Sequence, residues 1–213
     1  NKYYYGYECE QDLHTAYLCY KIATDKGNAD GMFGLANCYS LGRGVEINED
    51  EGNRLYELSA NNNSADGIIW KLEELRKKSK DSDLELWKER LRVVFIDGEE
   101  KNNPHILRLI GLDYLGQCLV YELDEVKGIE YLNKAIECGD YAAIRALARC
   151  YCEGIGVEID LSLAYKYIQE AANKGVATAY HCLGCMYRYG KKALEKDVQE
   201  GYKWYLKAAQ KGC

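Results

Sequence analysis

The chain has 213 residues, of which 47% are hydrophobic and 29% charged, and its formal net charge is −6. One proline and two phenylalanines stand against twenty tyrosines and twenty glycines, a composition that favours helices over a β-sandwich or β-barrel. The negative charge disfavours binding to nucleic acid or to an anionic membrane surface, and no apolar stretch reaches the roughly 20 residues that span a bilayer.

One helical pattern recurs from the beginning of the chain. Each copy opens on Asp or Asn, carries a small, a large and a small residue at offsets 4, 8 and 11, and closes on Gly or Asn. These offsets lie on one helical face. The opening residue suits an N-cap and the closing one the left-handed C′ position. The pattern predicts the second helix of five hairpins, with N-caps at Asp12, Asn48, Asp124, Asp160 and Asp197.

A second pattern lies between these copies. A small residue, Leu next to another small residue, Tyr and Gly recur in order over 31–42, 143–154 and 179–190, with a weaker copy at 110–114. Small residues beside Leu let two helix backbones approach closely. Tyr114, Tyr151 and Tyr187 are 37 and 36 residues apart, so we identify the pattern as the first helix of each hairpin.

A repeat of about three dozen residues cannot bury its apolar face alone and is stabilised by stacking on its neighbours. We therefore predict an all-α fold, an α-α superhelix that forms a right-handed solenoid of helix-turn-helix repeats in a single array over residues 1–213. Its expected units are a partial first repeat 1–27, then 28–63, a divergent third 64–98, 101–139, 140–175 and 176–213.

The third unit is the least regular. A charged run over 76–83 replaces the glycine turn, and the next helix is expected from Leu84 to Ile96, ending at Gly98. The alternative is that this unit links two shorter arrays. Pro104 suits the first turn of the following helix, after an Asn103 cap.

The segment from Leu35-Ala36 through Tyr39 to the paired glycines Gly42 and Gly44 resembles the Sel1-like repeat family, relatives of the tetratricopeptide repeat. The copy over 147–175 is the best match. The last copy lacks the second glycine, and the third and fourth lack the glycine turn. The resemblance implies a superhelical scaffold that assembles protein complexes.

The ten cysteines raise the question of a metal or disulfide framework. Cys182 and Cys185 form a C-x-x-C string, with Cys150 and Cys152 on the neighbouring hairpin, but zinc needs four converging ligands and no second C-x-x-C is present. We predict no metal site. Some secreted bacterial members of the resembled family carry one Cys pair per repeat, and the irregular spacing here favours reduced thiols in the cytoplasm instead. A secreted, disulfide-containing form is the alternative.

The sequence offers no catalytic or cofactor motif. The Gly-x-Gly strings lack the strand and third glycine of a dinucleotide loop, and no Ser has Lys three residues on. The histidines lie on different hairpins, so the frame suggests no Ser–His or Cys–His pairing, although residues distant in sequence can meet in space. We predict a non-enzyme without cofactor. The alternatives are an enzyme of the secreted cysteine-rich bacterial branch, penicillin-binding or hydrolase-like, or a structural spacer. Because the chain opens at Asn1, we also expect it to be a segment of a longer protein.

In related helical repeats the first helices line the concave wall. The reference is the residue expected to be buried at one equivalent position of each first helix, namely Ala36, Leu72, Gly111, Ala148 and Gly184. Side chains six and three residues before it, and one, four and five after it, are then expected to face a groove. This register selects five arginines, so we predict an adaptor that binds an acidic peptide or protein partner there. The alternatives are that the arginines only pair with neighbouring carboxylates, and that the array self-associates through its ends. The candidate groove residues are Phe33, Asn37, Arg76, His105, Arg108, Arg145, Arg149, His181, Arg188 and Tyr189.

Overall fold

The computed structural model describes residues 12–78, 83–117, 119–189 and 197–210, apart from the side chains of residues 177, 178 and 189. Regular structure in these ranges is entirely helical, which confirms the predicted all-α class of helix-turn-helix repeats. The α-helices are α1 Leu13–Asp25, α2 Ala29–Leu41, α3 Glu49–Asn61, α4 Ala65–Lys77, α5 Leu84–Glu100, α6 Pro104–Leu112, α7 Glu125–Glu137, α8 Ala143–Glu153, α9 Leu161–Asn173, α10 Ala177–Tyr189 and α11 Val198–Gln210.

The helices form two compact units. The N-terminal unit consists of Asp12–Lys101 with Leu119–Tyr121 and holds α1 to α5. The C-terminal unit holds α6 to α11, in the described parts of Asn102–Cys118 and Glu122–Cys213. Within each unit every helix packs on the next one along the chain. The assignment of all hairpins to one array stays a prediction.

All five predicted N-caps are confirmed. At each, the side chain accepts a hydrogen bond of 2.9 or 3.0 Å from the backbone N–H three residues on. Asn103 likewise caps α6, accepting from the Ile106 N–H at 3.3 Å, with Pro104 as the first helical residue. Three closing glycines have positive φ, and Asn63 does the same with φ 63°. The predicted caps therefore begin all five helices and close four of them as expected, whereas the fifth closing residue, Gly212, lies outside the described residues.

The divergent third unit forms two helices, α4 and α5, that pack in the N-terminal unit. α5 does not end at Gly98 as predicted, because this glycine is buried inside the helix and Asn102 supplies the left-handed turn with φ 49°. Arg90 of α5 donates to the Ala60 and Asn61 carbonyl oxygens at 3.1 and 3.0 Å. The guanidinium thus adds side-chain hydrogen bonds to carbonyls in the last turn of α3, where Ala60 already accepts from the Asn63 N–H at 3.0 Å.

The fourth hairpin also differs from expectation. α6 continues into a π-helical turn, Asp113–Gln117, in which Gly116 has φ 126°. A residue with a Cβ is strained at this angle. The fourth copy lacks the usual pair of glycines, as its sequence indicates, and one glycine at a shifted position takes the positive φ instead.

The Gly-x-Gly turn that follows α8 packs against the first turn of α7, the second helix of the preceding hairpin. Gly156 has φ 66°, and a Cβ there would lie 2.7 Å from the Cβ of Glu125 in α7. Its N–H donates to Oε2 of the same Glu125 at 2.8 Å. Gly175 also has positive φ, 81°, but a Cβ on it would meet no atom within 4 Å. Glycine is thus required at position 156 both by its backbone conformation and by the close packing on Glu125, and at position 175 by its backbone conformation alone.

Tyrosine hydroxyls join a second helix to the first helix that follows it. Tyr165 of α9 and Tyr187 of α10 have hydroxyl oxygens 2.9 Å apart, and Tyr17 and Tyr39 repeat the contact at 3.4 Å. Each hydrogen bond favours the protonated phenol, which raises the pKa of Tyr187 and of Tyr39 to about 12. Two tyrosines of the first-helix pattern, Tyr39 and Tyr187, are therefore part of the contact between hairpins.

Gly156→Ala is expected to destabilise the protein by about 3 kcal/mol, since it adds both backbone strain and a collision with Glu125. Gly175→Ala, the matched control, is expected to cost about 1 kcal/mol from backbone strain alone. Urea unfolding followed by circular dichroism measures both. Equal losses would mean that the turn does not pack tightly on α7.

Tyr187→Phe is expected to reduce the loss of stability at alkaline pH. The unfolded phenol ionises near pH 10, whereas the folded one holds its proton up to about pH 12. Its contribution is therefore complete below pH 10 and is lost as pH rises towards 12. The slope of unfolding free energy against pH in this range measures the effect. Tyr202→Phe, at a side chain that is 60% exposed, is the matched control for the loss of one phenolic hydroxyl.

Candidate partner-binding groove

A cavity of about 920 Å³ opens in the C-terminal unit beside its first helices. Three successive first helices, α6 with its π-turn, α8 and α10, line it, together with Ile168 of α9. Most lining residues follow the predicted register, three before and one, four and five after the reference residues Gly111, Ala148 and Gly184. We call this cavity the groove.

Apolar side chains from α6, its π-turn and α10 form part of the groove wall. Leu112 and Leu115 line it from α6 and its π-turn, and Met186 lines it from α10. Met186 is 7% and Leu115 9% exposed, so these side chains present edges to the cavity while they fill the core. Such a wall suits an aliphatic or aromatic side chain of a ligand.

Two of the predicted arginines lie on the groove wall contributed by α8. Arg145 and Arg149 are exposed, and a separation of four residues places them on one helical face. Among the described residues, neither forms an ion pair with a carboxylate. Glu153, one turn further along α8, is the acidic residue of the lining. The groove therefore has a cationic stretch next to a single carboxylate.

A third predicted arginine, Arg108, is paired instead. Its Nε donates to Oδ2 of Asp140 at 2.7 Å, and its side chain is only 21% exposed. The guanidinium also lies 2.8 Å from Nδ1 of His105. The pair joins α6 to the turn before α8, so at Arg108 the alternative of a structural ion pair applies, and neither Arg108 nor His105 lines the groove.

The remaining arginines of the prediction lie elsewhere. Arg188 is exposed near the end of α10 and hydrogen-bonds Tyr205, but it is not part of the groove lining. Arg76 is exposed in the last turn of α4, in the N-terminal unit. The side chain of Tyr189 lies outside the described residues.

Phe33 and Asn37 are taken up in the packing of the N-terminal unit. The Tyr56 hydroxyl donates to Oδ1 of Asn37 at 2.9 Å. The Phe33 ring centroid lies 5.2 Å from that of Tyr56, which stacks on Trp70 at 5.0 Å. The structure thus brings together Arg145, Arg149 and His181 of the predicted set and leaves these two in an internal aromatic cluster.

The groove contains a thiol–imidazole pair that sequence reasoning missed. Nδ1 of His181 lies 3.8 Å from Sγ of Cys185, and the Tyr205 hydroxyl donates to the same sulfur at 3.2 Å. Burial and this hydrogen bond raise the pKa of Tyr205. The frame of the repeat suggests no Cys–His pairing, but this pair lies within one helix, α10. The four-residue spacing on a predicted helix was the signal that could have found it.

The buried cysteines differ from those of the groove. Cys38 and Cys150 are 0% exposed, and burial raises the pKa of both thiols, that of Cys38 to about 11. They act as small apolar residues of the core. Within the described ranges no three His, Cys, Asp or Glu side chains converge in a way that suits a metal ion. None of the described helices is long and apolar enough to cross a membrane.

Comparison with known families identifies the repeat. The model of the Sel1 repeat matches residues 3–28, 29–64, 110–140, 142–176 and 177–213. The chain belongs to the Sel1 repeat family. The unmatched segment between residues 64 and 110 contains α4 and α5, the helices of the divergent unit. Sel1 repeat proteins are generally protein-interaction scaffolds, and the fold is typically non-catalytic.

Solved structures support the same fold. The chain is 26% identical to a Sel1 repeat protein from Oxalobacter formigenes, with a TM-score of 0.55 over 100% of this chain and 83% of that one. It is 21% identical to the immunity protein Pa5087 from Pseudomonas aeruginosa, with a TM-score of 0.54 over 92% and 73% of the two chains. At this identity the second likeness shows the fold alone.

A curated relative matches part of this Sel1 repeat chain. The chitin synthase regulator SKT5 of Saccharomyces cerevisiae is 32% identical over 101 residues, which cover 46% of this chain and 14% of the yeast protein. The matched segment is therefore a small part of the yeast regulator.

Arg108 forms an ion pair that stabilises the fold, whereas Arg145 and Arg149 line the groove, and stability measurements test this difference. Arg108→Gln is expected to cost about 1–3 kcal/mol because Asp140, only 15% exposed, loses its cation. Arg145→Gln and Arg149→Gln should each change stability by less than about 0.5 kcal/mol. Thermal unfolding of the three variants measures the difference. A large loss in either groove variant would show that its guanidinium supports the fold.

Proposed function

We propose that this Sel1 repeat protein is an interaction scaffold whose groove binds an extended acidic segment of a partner protein. The observation that carries the proposal is the contrast among its arginines. Arg108 is paired and largely buried, whereas Arg145 and Arg149 are exposed at the groove without an acidic partner among the described residues. Structural ion pairing therefore accounts for the first and not for the other two.

The chemistry of the groove favours carboxylates. A guanidinium presents a planar fork of donors that binds a carboxylate through two hydrogen bonds. The chain as a whole carries a net charge of −6, so two adjacent cations at a cavity oppose the overall field and attract a local negative charge. The acidic segment is the ligand that such a wall recognises.

The apolar lining adds a second requirement. Leu112, Leu115 and Met186 offer a contact for one aliphatic or aromatic side chain. Glu153 repels a continuous acidic run. The preferred segment therefore combines one or two acidic residues facing Arg145 and Arg149 with an apolar residue beside them.

The family supports a binding role. The yeast relative is by name a regulator of another protein, chitin synthase. A scaffold that recognises a protein segment is consistent with that name.

Selection of peptides tests the proposal without a known partner. A phage-displayed random peptide library is panned on the wild-type protein, and recovered peptides are resynthesised with a fluorescent label. We expect enrichment of Asp and Glu next to aliphatic or aromatic residues, and binding that weakens as salt is raised. The double variant Arg145→Glu/Arg149→Glu should bind these peptides at least about tenfold more weakly. Fluorescence anisotropy measures the affinities.

The matched control reverses the same number of charges elsewhere. Lys21→Glu/Lys166→Glu changes two exposed lysines on the second helices α1 and α9, and it should retain wild-type affinity. Equal losses in the two double variants would show only an effect of net charge. Failure to enrich any acidic peptide would favour the role of a structural spacer.

A further inference from the structure

One thiol of the groove touches two proton-bearing groups. Sγ of Cys185 accepts a hydrogen bond from the Tyr205 hydroxyl at 3.2 Å and lies 3.8 Å from Nδ1 of His181. Cys185 is half-buried, carries a free thiol and lines the cavity. A donor directed at sulfur stabilises the thiolate, and an adjacent imidazole takes up the thiol proton. The three side chains form the arrangement that a nucleophilic sulfur needs.

The other thiols provide contrasts within the same molecule. Cys38 and Cys150 are completely buried and out of reach of a reagent. Cys19 and Cys138 are exposed, but no imidazole or phenol contact to either sulfur is present among the described residues. The most exposed thiols therefore lack a neighbouring imidazole or phenol, whereas the half-buried thiol of Cys185 has both.

The surroundings of Cys185 select the charge of a reagent. Arg145 and Arg149 line the same cavity, and their guanidinium groups attract carboxylates. The volume of about 920 Å³ lies within the range of cavities that hold small organic ligands. A small disulfide that carries carboxylates fits both the space and the charge.

We propose that Cys185 is a modification site that undergoes thiol–disulfide exchange with small, carboxylate-bearing disulfides, which Arg145 and Arg149 draw into the groove. This inference goes beyond the binding of a peptide and does not depend on it, because the exchange requires only the cavity, the two cations and the thiol. The class of ligand is a low-molecular-weight acidic disulfide.

The exchange is balanced without a further oxidant. The Sγ–H proton passes to Nδ1 of His181, and the Cys185 thiolate attacks one sulfur of the reagent. The new S–S bond forms as the reagent S–S bond breaks. The departing thiolate takes the proton back from the imidazolium of His181. One protein thiol and one disulfide thereby give one mixed disulfide and one small thiol.

Three probes of different charge test the site on the whole chain at neutral pH. They are dithiobis(nitrobenzoate), which is dianionic, dipyridyl disulfide, which is neutral, and cystamine, which is dicationic. Each is added briefly, unreacted thiols are alkylated, and digestion with mass spectrometry gives the extent of modification at every cysteine. With the dianionic probe we expect Cys185 to react about tenfold faster than the more exposed Cys19 and Cys138. With cystamine this advantage should disappear.

Variants of the groove residues show which side chains cause the reactivity of Cys185. Arg145→Gln/Arg149→Gln should slow Cys185 about tenfold towards the dianionic probe and leave its rate with the neutral probe unchanged. His181→Gln should slow Cys185 with all three probes, since it removes the proton acceptor. Lys21→Gln/Lys166→Gln is the matched charge control, and thermal unfolding verifies that each variant is folded.

The proposal fails if Cys185 reacts with the dianionic probe no faster than Cys19, or if Cys152 or Cys182, which line the same cavity, are modified in its place. It fails equally if loss of the two arginines slows the neutral and the dianionic probe alike. Each of these results leaves the peptide-binding measurements untouched, so the two proposals are judged separately.

Discussion

The close crossing of two helix backbones within a hairpin determines the rest of this structure. In the C-terminal unit a Cβ on Gly111 would lie 2.9 Å from the Gly128 carbonyl oxygen, and one on Gly201 would lie 3.0 Å from that of Gly184. Glycine inside a helix costs roughly 0.5–1 kcal/mol relative to alanine. The cost is offset because the two backbones meet directly, which fixes their separation and their rotation about each helix axis.

A fixed rotation decides which side chains face the cavity. The register that starts from the crossing residue places Arg145, Arg149, His181 and Cys185 on the groove side of α8 and α10. Whether a groove-side residue is available then depends on what lies opposite it. Arg108 meets Asp140 from the next hairpin, whereas the two arginines of α8 meet no such carboxylate in the described chain. Equivalent helix positions thus carry arginines with different roles, because the residues opposite them differ from hairpin to hairpin.

The sequence predicted those features that depend on neighbours along the chain. The five N-caps and the closing positions with positive φ follow from rules that act over three or four residues. Most of the misses involve distant partners or competing positions, and the contact of His181 with Cys185, four residues apart on one helix, is the exception. Helix α5 passes Gly98 because burial keeps that glycine helical. The pairing of Arg108, the hydrogen bond of Asn37 to Tyr56 and the Tyr205 contact to Cys185 join residues 19 to 32 positions apart. Their contacts depend on helix crossings that the pattern of residues implies without specifying.

The tyrosine contact between hairpins has a consequence for how such a chain changes over generations. The stacking of α9 on α10 includes the paired hydroxyls of Tyr165 and Tyr187, and these two tyrosines occupy helix positions separate from the polar residues Arg145, Arg149 and His181 that line the cavity. Mutations on the lining can accumulate while this contact is preserved. The ligand preference of a single hairpin can therefore change while the tyrosine contact with the neighbouring hairpin is kept.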